Sequence, residues 1–241
     1  ELLQAHPDVN LEATYHGIYG DLYHAQGRWS DAEVSYQQSI RLLSAQKQPL
    51  HDFHTLGKIL WQSGRYEQAK EFLEQVDSTN KNDFYRPGTY WHTVWLLDFA
   101  NLYVAWEQPE QALFYSQLAS GYAEKQGQKV LLGRAQKAAG AAQRQLDQWD
   151  EAQQSLNQAL GLFRQESALD HECTALTQLI QLHLTLEDEE EIQTYANDIW
   201  NLLHSGKLDM TNAEPTKAWW ACYLAFRALH DPRAEAALRS V

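Results

Sequence analysis

Small and apolar residues return at helical spacing through most of the chain, and short polar turns cut the runs at regular intervals. The clearest stretch is Gly57 to Val76. Gly64-Arg65-Tyr66 reads as a tight turn between two helices, because glycine ends a helix cheaply in the left-handed conformation. After it, Tyr66, Ala69, Phe72, Leu73 and Val76 fall on one helical face. A lone hairpin of this kind cannot bury both faces and needs copies beside it. The copies are present. Trp29-Ser30-Asp31-Ala32 follows Gly27 as Tyr66-Glu67-Gln68-Ala69 follows Gly64, and Pro109-Glu110-Gln111-Ala112 and Trp149-Asp150-Glu151-Ala152 repeat the theme. Weaker versions end at Ile192 and Ala234. The period is about 40 residues, which argues for a helical repeat rather than one irregular globule.

Each unit carries a small residue in its first helix, a larger one three positions on, then an alanine and an apolar residue in the second helix. The sets are Gly20, Tyr23, Ala32 and Tyr36; Gly57, Leu60, Ala69 and Leu73; Ala100, Tyr103, Ala112 and Ser116, where the serine is a departure; and Gly140, Gln143, Ala152 and Leu156, where the polar Gln143 departs from the aromatic expected at the second position. Ile180, His183, Ile192 and Ala196, and then Cys222, Ala225, Ala234 and Leu238, are more degenerate versions. This pattern resembles the tetratricopeptide repeat family. The resemblance implies an all-α fold, a superhelical array of about six antiparallel helix pairs (an α-solenoid). The repeats are expected at about 11–46, 50–76, 89–127, 128–165, 167–205 and 212–241, as a single solenoid over 1–241. Neither end carries a clear polar capping repeat, so a fragment of a larger protein is expected.

The stretch His230-Asp231-Pro232-Arg233-Ala234-Glu235-Ala236-Ala237-Leu238 resembles the end of one tetratricopeptide subgroup, the helical arms of large bacterial signalling proteins. Those arms follow an ATPase module of the STAND or AAA class, with a transcription-regulator or nucleotidyl-cyclase domain elsewhere. A Gly-rich phosphate loop is missing from these residues, so an attached ATPase would lie outside them.

Local signals add detail. Ser30 with Glu33 three residues later reads as a capping box for the second helix. Pro109 is expected in a turn or the first turn of a helix. Phe84 and Tyr85 sit in the longest connector, either touching a partner or covering the gap between hairpins. Glu187-Asp188-Glu189-Glu190-Glu191 falls at a turn and helix start, where carboxylates suit the helix dipole and a solvated face.

Composition then narrows the function. The 241 residues are 44% hydrophobic, enough for a sizeable interior, yet no run reaches the ~18 apolar residues of a membrane span. The formal net charge of −13 disfavours nucleic-acid phosphates as partners. Cys173 and Cys222 lack metal or redox spacing and read as buried free thiols in a reducing, cytoplasmic setting. His51 and His54 stand three apart, but a metal site needs further ligands. Catalytic motifs are missing from the sequence, so no enzyme activity and no cofactor are expected.

The tetratricopeptide resemblance implies that the first helix of each pair lines a concave groove. Carried over position by position, it names Asp21 and His24; His51, His54, Lys58 and Trp61; Leu97 and Asn101; Arg134, Lys137 and Arg144; Thr177 and Gln181; and Trp219, Tyr223 and Phe226. The binding residues expected among them are His54, Lys58, Trp61, Asn101, Arg134, Lys137, Arg144, Gln181, Trp219 and Tyr223. Four cations on one wall of an acidic protein point to an anionic guest. The expected partner is a protein or peptide, acidic in character, a terminal carboxylate of a partner held by Lys58 and Asn101, or a small anionic or polyhydroxylated ligand. The function expected is that of a non-catalytic recognition arm of a multidomain signalling ATPase. The alternative is a stand-alone scaffold or adaptor.

Overall fold

The computed structural model describes residues 9–43, 50–78, 87–208 and 215–241. Twelve helices follow one another among the described residues: α1 (Val9–Ala25), α2 (Trp29–Leu43), α3 (Leu50–Gln62), α4 (Tyr66–Ser78), α5 (Tyr90–Ala105), α6 (Pro109–Lys125), α7 (Lys129–Gln145), α8 (Trp149–Gln165), α9 (Leu169–Leu186), α10 (Glu189–His204), α11 (Pro215–Ala228) and α12 (Ala234–Arg239). The class is all-helical, an α-solenoid of helical hairpins. Phe84 and Tyr85 lie outside the described residues. The helices group into two compact units that divide between Trp106 and Glu107.

In the first unit each helix packs on the next, and α3 also touches α5. Small residues set these crossings. A Cβ added to Gly20 would lie 2.5 Å from Tyr36 Cε1, and one added to Gly57 would lie 3.0 Å from Leu73 Cδ2. The four residues are the first and last members of the first two repeat sets, so the pattern encodes a close backbone approach. Tyr36, Leu56, Ile59, Leu60 and Leu73 form the core around them. In the second unit α6 to α12 again pack in succession, and α9 also meets α11. Its core gathers Leu156, Phe163, Leu176, Leu179, Ile199 and Phe226.

The turns explain the period. After α1 the Arg28 N–H donates to the Tyr23 carbonyl at 2.9 Å, and Gly27 takes φ 70°. After α3 Arg65 N–H donates to the Leu60 carbonyl at 2.9 Å, with Gly64 at φ 79°. Both are the left-handed helix stop that satisfies terminal carbonyls. Further on, Glu107, Gly127, Asp147, Ser167 and Glu187 hold the same positive-φ position about every twenty residues. A helix plus a turn is one half-period, and two make the repeat.

Several local expectations change. α2 begins at Trp29, ahead of Ser30, and Glu33 does not serve as the reciprocal cap. Its carboxylate instead accepts two bonds from Arg65, at 2.8 and 2.6 Å, tying α2 to the turn before α4. Pro109 stands at the first position of α6, where its missing N–H costs nothing. Asp188 caps α10, accepting from Glu191 N–H at 3.3 Å, with Glu189 to Glu191 in the first turn. The departures from the repeat pattern are locally satisfied. Ser116 donates to the Ala112 carbonyl at 2.7 Å. With its amide turned to face its acceptors, Gln143 donates to Ser155 Oγ at 2.7 Å. Leu238 is 47% exposed, and Ala237 holds the buried position on α12 instead.

Candidate functional site

In the first unit the wall candidates are bound up with carboxylates. His54 on α3 pairs through Nδ1 with Oδ2 of Asp98 on α5, and Asp98 is almost fully buried. The pair pins two successive first helices together. Asp52 is buried too and accepts from Ser39 Oγ on α2. Tyr36 Oη donates to Asp21 Oδ1 at 2.7 Å, and burial together with that carboxylate pushes the phenol well above its usual range. His24 titrates below the ordinary histidine value, first because it is buried and second because Lys58 is near; Asp21 opposes the shift. Lys58 and Trp61 are half-buried on α3. Asn101 spends an amide N–H on the Leu97 carbonyl of its own helix, at 2.7 Å. The side chain of His51 lies outside the described residues. The positional rule that selected Lys58 passed over Asp98 and Asp52, two buried carboxylates that hold His54 and Ser39.

The second unit differs. Arg134, Lys137 and Arg144 stand at helical spacing along α7, beside α8 and α9. Lys137 Nζ donates to Thr174 Oγ1 on α9 at 3.3 Å. Arg144 is half-buried, and burial alone lowers its pKa. Its Nε has no hydrogen-bond acceptor among the described residues, and Oε1 of Gln178 on α9 has no donor among them. Neither Arg134 nor Arg144 has an ion pair among the described residues. Other cations of the unit do: Lys129 with Glu166 at 3.0 Å, Arg164 with Glu172 and Asp198 at 2.8 and 2.6 Å, and Arg233 with Asp231 at 2.6 Å. A half-buried guanidinium without a counter-charge is costly, and an incoming carboxylate would offset that cost.

The remaining candidates divide. Gln181 and Tyr223 are half-buried, and Tyr223 Oη accepts from Arg227 at 3.3 Å. Trp219 stands edge-on to Trp200 and His204 on α10, with centroids 5.6 and 5.3 Å apart, so it fills the α10–α11 seam. Leu97 and Phe226 are fully buried and Thr177 nearly so; all three are core residues rather than wall residues. Sequence reasoning missed Asp98, Thr174 and Gln178. Asp98 had a signal: a lone carboxylate inside the apolar run Trp95-Leu96-Leu97-Asp98-Phe99-Ala100.

Cys173 and Cys222 are buried and outside any disulfide, and burial pushes the Cys222 thiol up to about 12. Among the described residues no group of three or more His, Cys, Asp or Glu is placed to hold a metal ion, and no helix is long and apolar enough to cross a membrane. The Asp231-Pro232-Arg233 motif has a local role. Asp231 accepts from the Arg233 backbone N–H at 2.8 Å and from its guanidinium, which lies 4.2 Å from the Phe226 ring centroid.

The architecture defines a helical-repeat protein of the tetratricopeptide-like α-solenoid class. Residues 10–76 match the family described as Tetratricopeptide repeat. Solved structures share the fold at low identity. Aspartyl phosphate phosphatase F from Bacillus subtilis superposes with a TM-score of 0.76 at 17% identity, over 98% of this protein and 60% of that one. The present sequence therefore spans less than two thirds of that protein. A Rap protein complexed with competence and sporulation factor gives 0.66 at 14% identity, over 99% of this protein and 76% of that one. A putative kinesin light chain from Podosopora anserina, with nearly identical TPR-like repeats, gives 0.57 at 17%, over 79% and 91%. No curated protein matches the sequence.

Proposed function

We propose that this protein is a non-catalytic protein-binding module, and that the α7–α9 wall takes an acidic peptide segment of a partner. The observation that carries this is Arg144: a half-buried guanidinium with no counter-charge among the described residues, on the same helix as Arg134 and Lys137. A similar fold, the Rap protein, is complexed with competence and sporulation factor, which supports a binding role. The reading suits a stand-alone scaffold or adaptor. The resemblance of His230 to Leu238 to ATPase arms adds little to the choice, because Asp231 and Arg233 are occupied in holding their own turn.

Binding to a fluorescent Glu/Asp-rich peptide, followed by anisotropy, tests the reading. K137E/R144E should weaken it by at least about tenfold, and affinity should fall with added salt. Equal affinity for a Lys-rich peptide, or an unchanged affinity in the double variant, would overturn it.

A further inference from the structure

The side of α11 that looks away from the core carries an aromatic stripe. Ala218, Ala221, Cys222, Ala225 and Phe226 form the buried side of the helix. Opposite them, at helical spacing, stand Trp220, Tyr223 and Arg227. Trp220 is 45% exposed, and its ring lies tilted against Tyr223 with centroids 5.0 Å apart. The Arg227 guanidinium sits 6.0 Å from the Tyr223 ring centroid and donates to its Oη at 3.3 Å. Packing does not call for this stripe, because Trp219 already fills the α10–α11 seam. A half-exposed indole held beside a tyrosine and an arginine has the composition of a binding hot spot.

The stripe continues the α7–α9 wall. α9 meets both α7 and α11. Counted from the repeat anchors Ile180 and Cys222, Trp220 and Tyr223 take the positions that Gln178 and Gln181 hold on α9, where both are half-buried. From α7 to α11 the surface therefore passes from Arg134, Lys137 and Arg144, through two amides, to an aromatic pair. Packed helices lie ~8–10 Å apart, which puts the cations and the stripe roughly 20 Å apart. An extended chain crosses that distance in about six residues at ~3.3 Å each. We infer that the α11 stripe is the second half of the peptide site, where Trp220 and Tyr223 seat one bulky apolar side chain of the partner about six residues from its acidic segment. The inference rests on the α7–α9 wall being the surface that takes the acidic segment. Charge agrees with one continuous guest: α11 carries Lys217 and Arg227 and no carboxylate, so it attracts the same acidic partner.

Fluorescence anisotropy with three labelled peptides tests this. All share one Glu/Asp-rich segment. The first continues in serine and glycine, the second places a tryptophan six residues from the acidic segment, and the third places it two residues away. Each is made with the tail before and after the acidic segment. In one of the two polarities the second peptide should bind at least about tenfold tighter than the first, and the third should bind like the first. W220A should remove that gain and leave the affinity of the first peptide unchanged. Y223A should remove most of the gain as well, whereas W29A, at an exposed tryptophan of α2, should change neither affinity. Equal affinity for the first two peptides, the same gain at two residues, or a gain that survives W220A would overturn the inference. The reading beneath it fails differently: there the first peptide binds K137E/R144E as tightly as the unsubstituted protein.

Discussion

Gly140 on α7 faces Leu156 on α8 so closely that any side chain at position 140 forces a neighbour to shift. A Cβ there would lie 2.7 Å from Leu156 Cγ and 3.1 Å from the Ala152 carbonyl oxygen. Because one of the two obstacles is backbone, the crossing of α7 and α8 cannot relax by a rotamer change alone. Gly140→Ala should destabilise the fold by about 1–3 kcal/mol, the usual cost of overpacking. Gly161→Ala, with open space around its Cβ on α8, should stabilise it by about 0.5–1 kcal/mol. Urea midpoints of the two variants should move in opposite directions.

The left-handed turn positions give a second expectation. Ser167 and Glu187 hold φ of 53° and 56°, where a side chain strains the backbone and glycine does not. Ser167→Gly and Glu187→Gly should each raise stability by roughly 1 kcal/mol. Gly64→Ala, at φ 79°, should lower it by a similar amount. Thermal unfolding midpoints check the three together.

The His54–Asp98 pair should behave as a pin between α3 and α5. Asp98→Ala leaves His54 without its carboxylate and opens a gap in a buried seam. It should cost about 1–3 kcal/mol. The effect should show as faster hydrogen exchange in α3 and α5, with α9 and α10 unchanged.

His24 sets a pH dependence of known sign. Its folded value lies below the unfolded value of 6.5, first through burial and then through Lys58. The unfolded state therefore takes up the proton more readily. The stability that goes with neutral His24 is fully present above pH 6.5 and declines as pH falls through and below it. The urea midpoint should drop between about pH 7.5 and about pH 5.5, and the drop should be smaller in His24→Gln. An equal drop in both proteins would show that His24 is not its source.

Much of the fold was legible because it rests on side-chain size at fixed spacing. Gly20, Gly57 and Gly140 announce close crossings through the absence of a Cβ, and Tyr36, Leu73 and Leu156 are what fills the space. The pairings between units of the repeat were not legible. Asp98 meets His54 across 44 positions and Glu33 meets Arg65 across 32, and no local pattern reports such separations. The wall rule also weakened along the sequence. It placed Phe226 and Leu97 in a groove, whereas both are fully buried, and it placed Trp219 there although it stands in the α10–α11 seam. An offset counted from a repeat start fixes a helix face only when the neighbouring helices keep their angles, and the degenerate later repeats do not guarantee that.

The most direct measurement is an NMR titration of the protein with an acidic peptide, read at the arginine Nε–Hε and lysine Nζ signals. Saturable shifts at Arg144, Arg134 and Lys137, with the paired Arg164 and Arg233 unmoved, are the predicted result. Shifts confined to Arg164, Arg233 or other outer cations, or none at saturating peptide, would contradict the claim that the α7–α9 wall is where this protein binds.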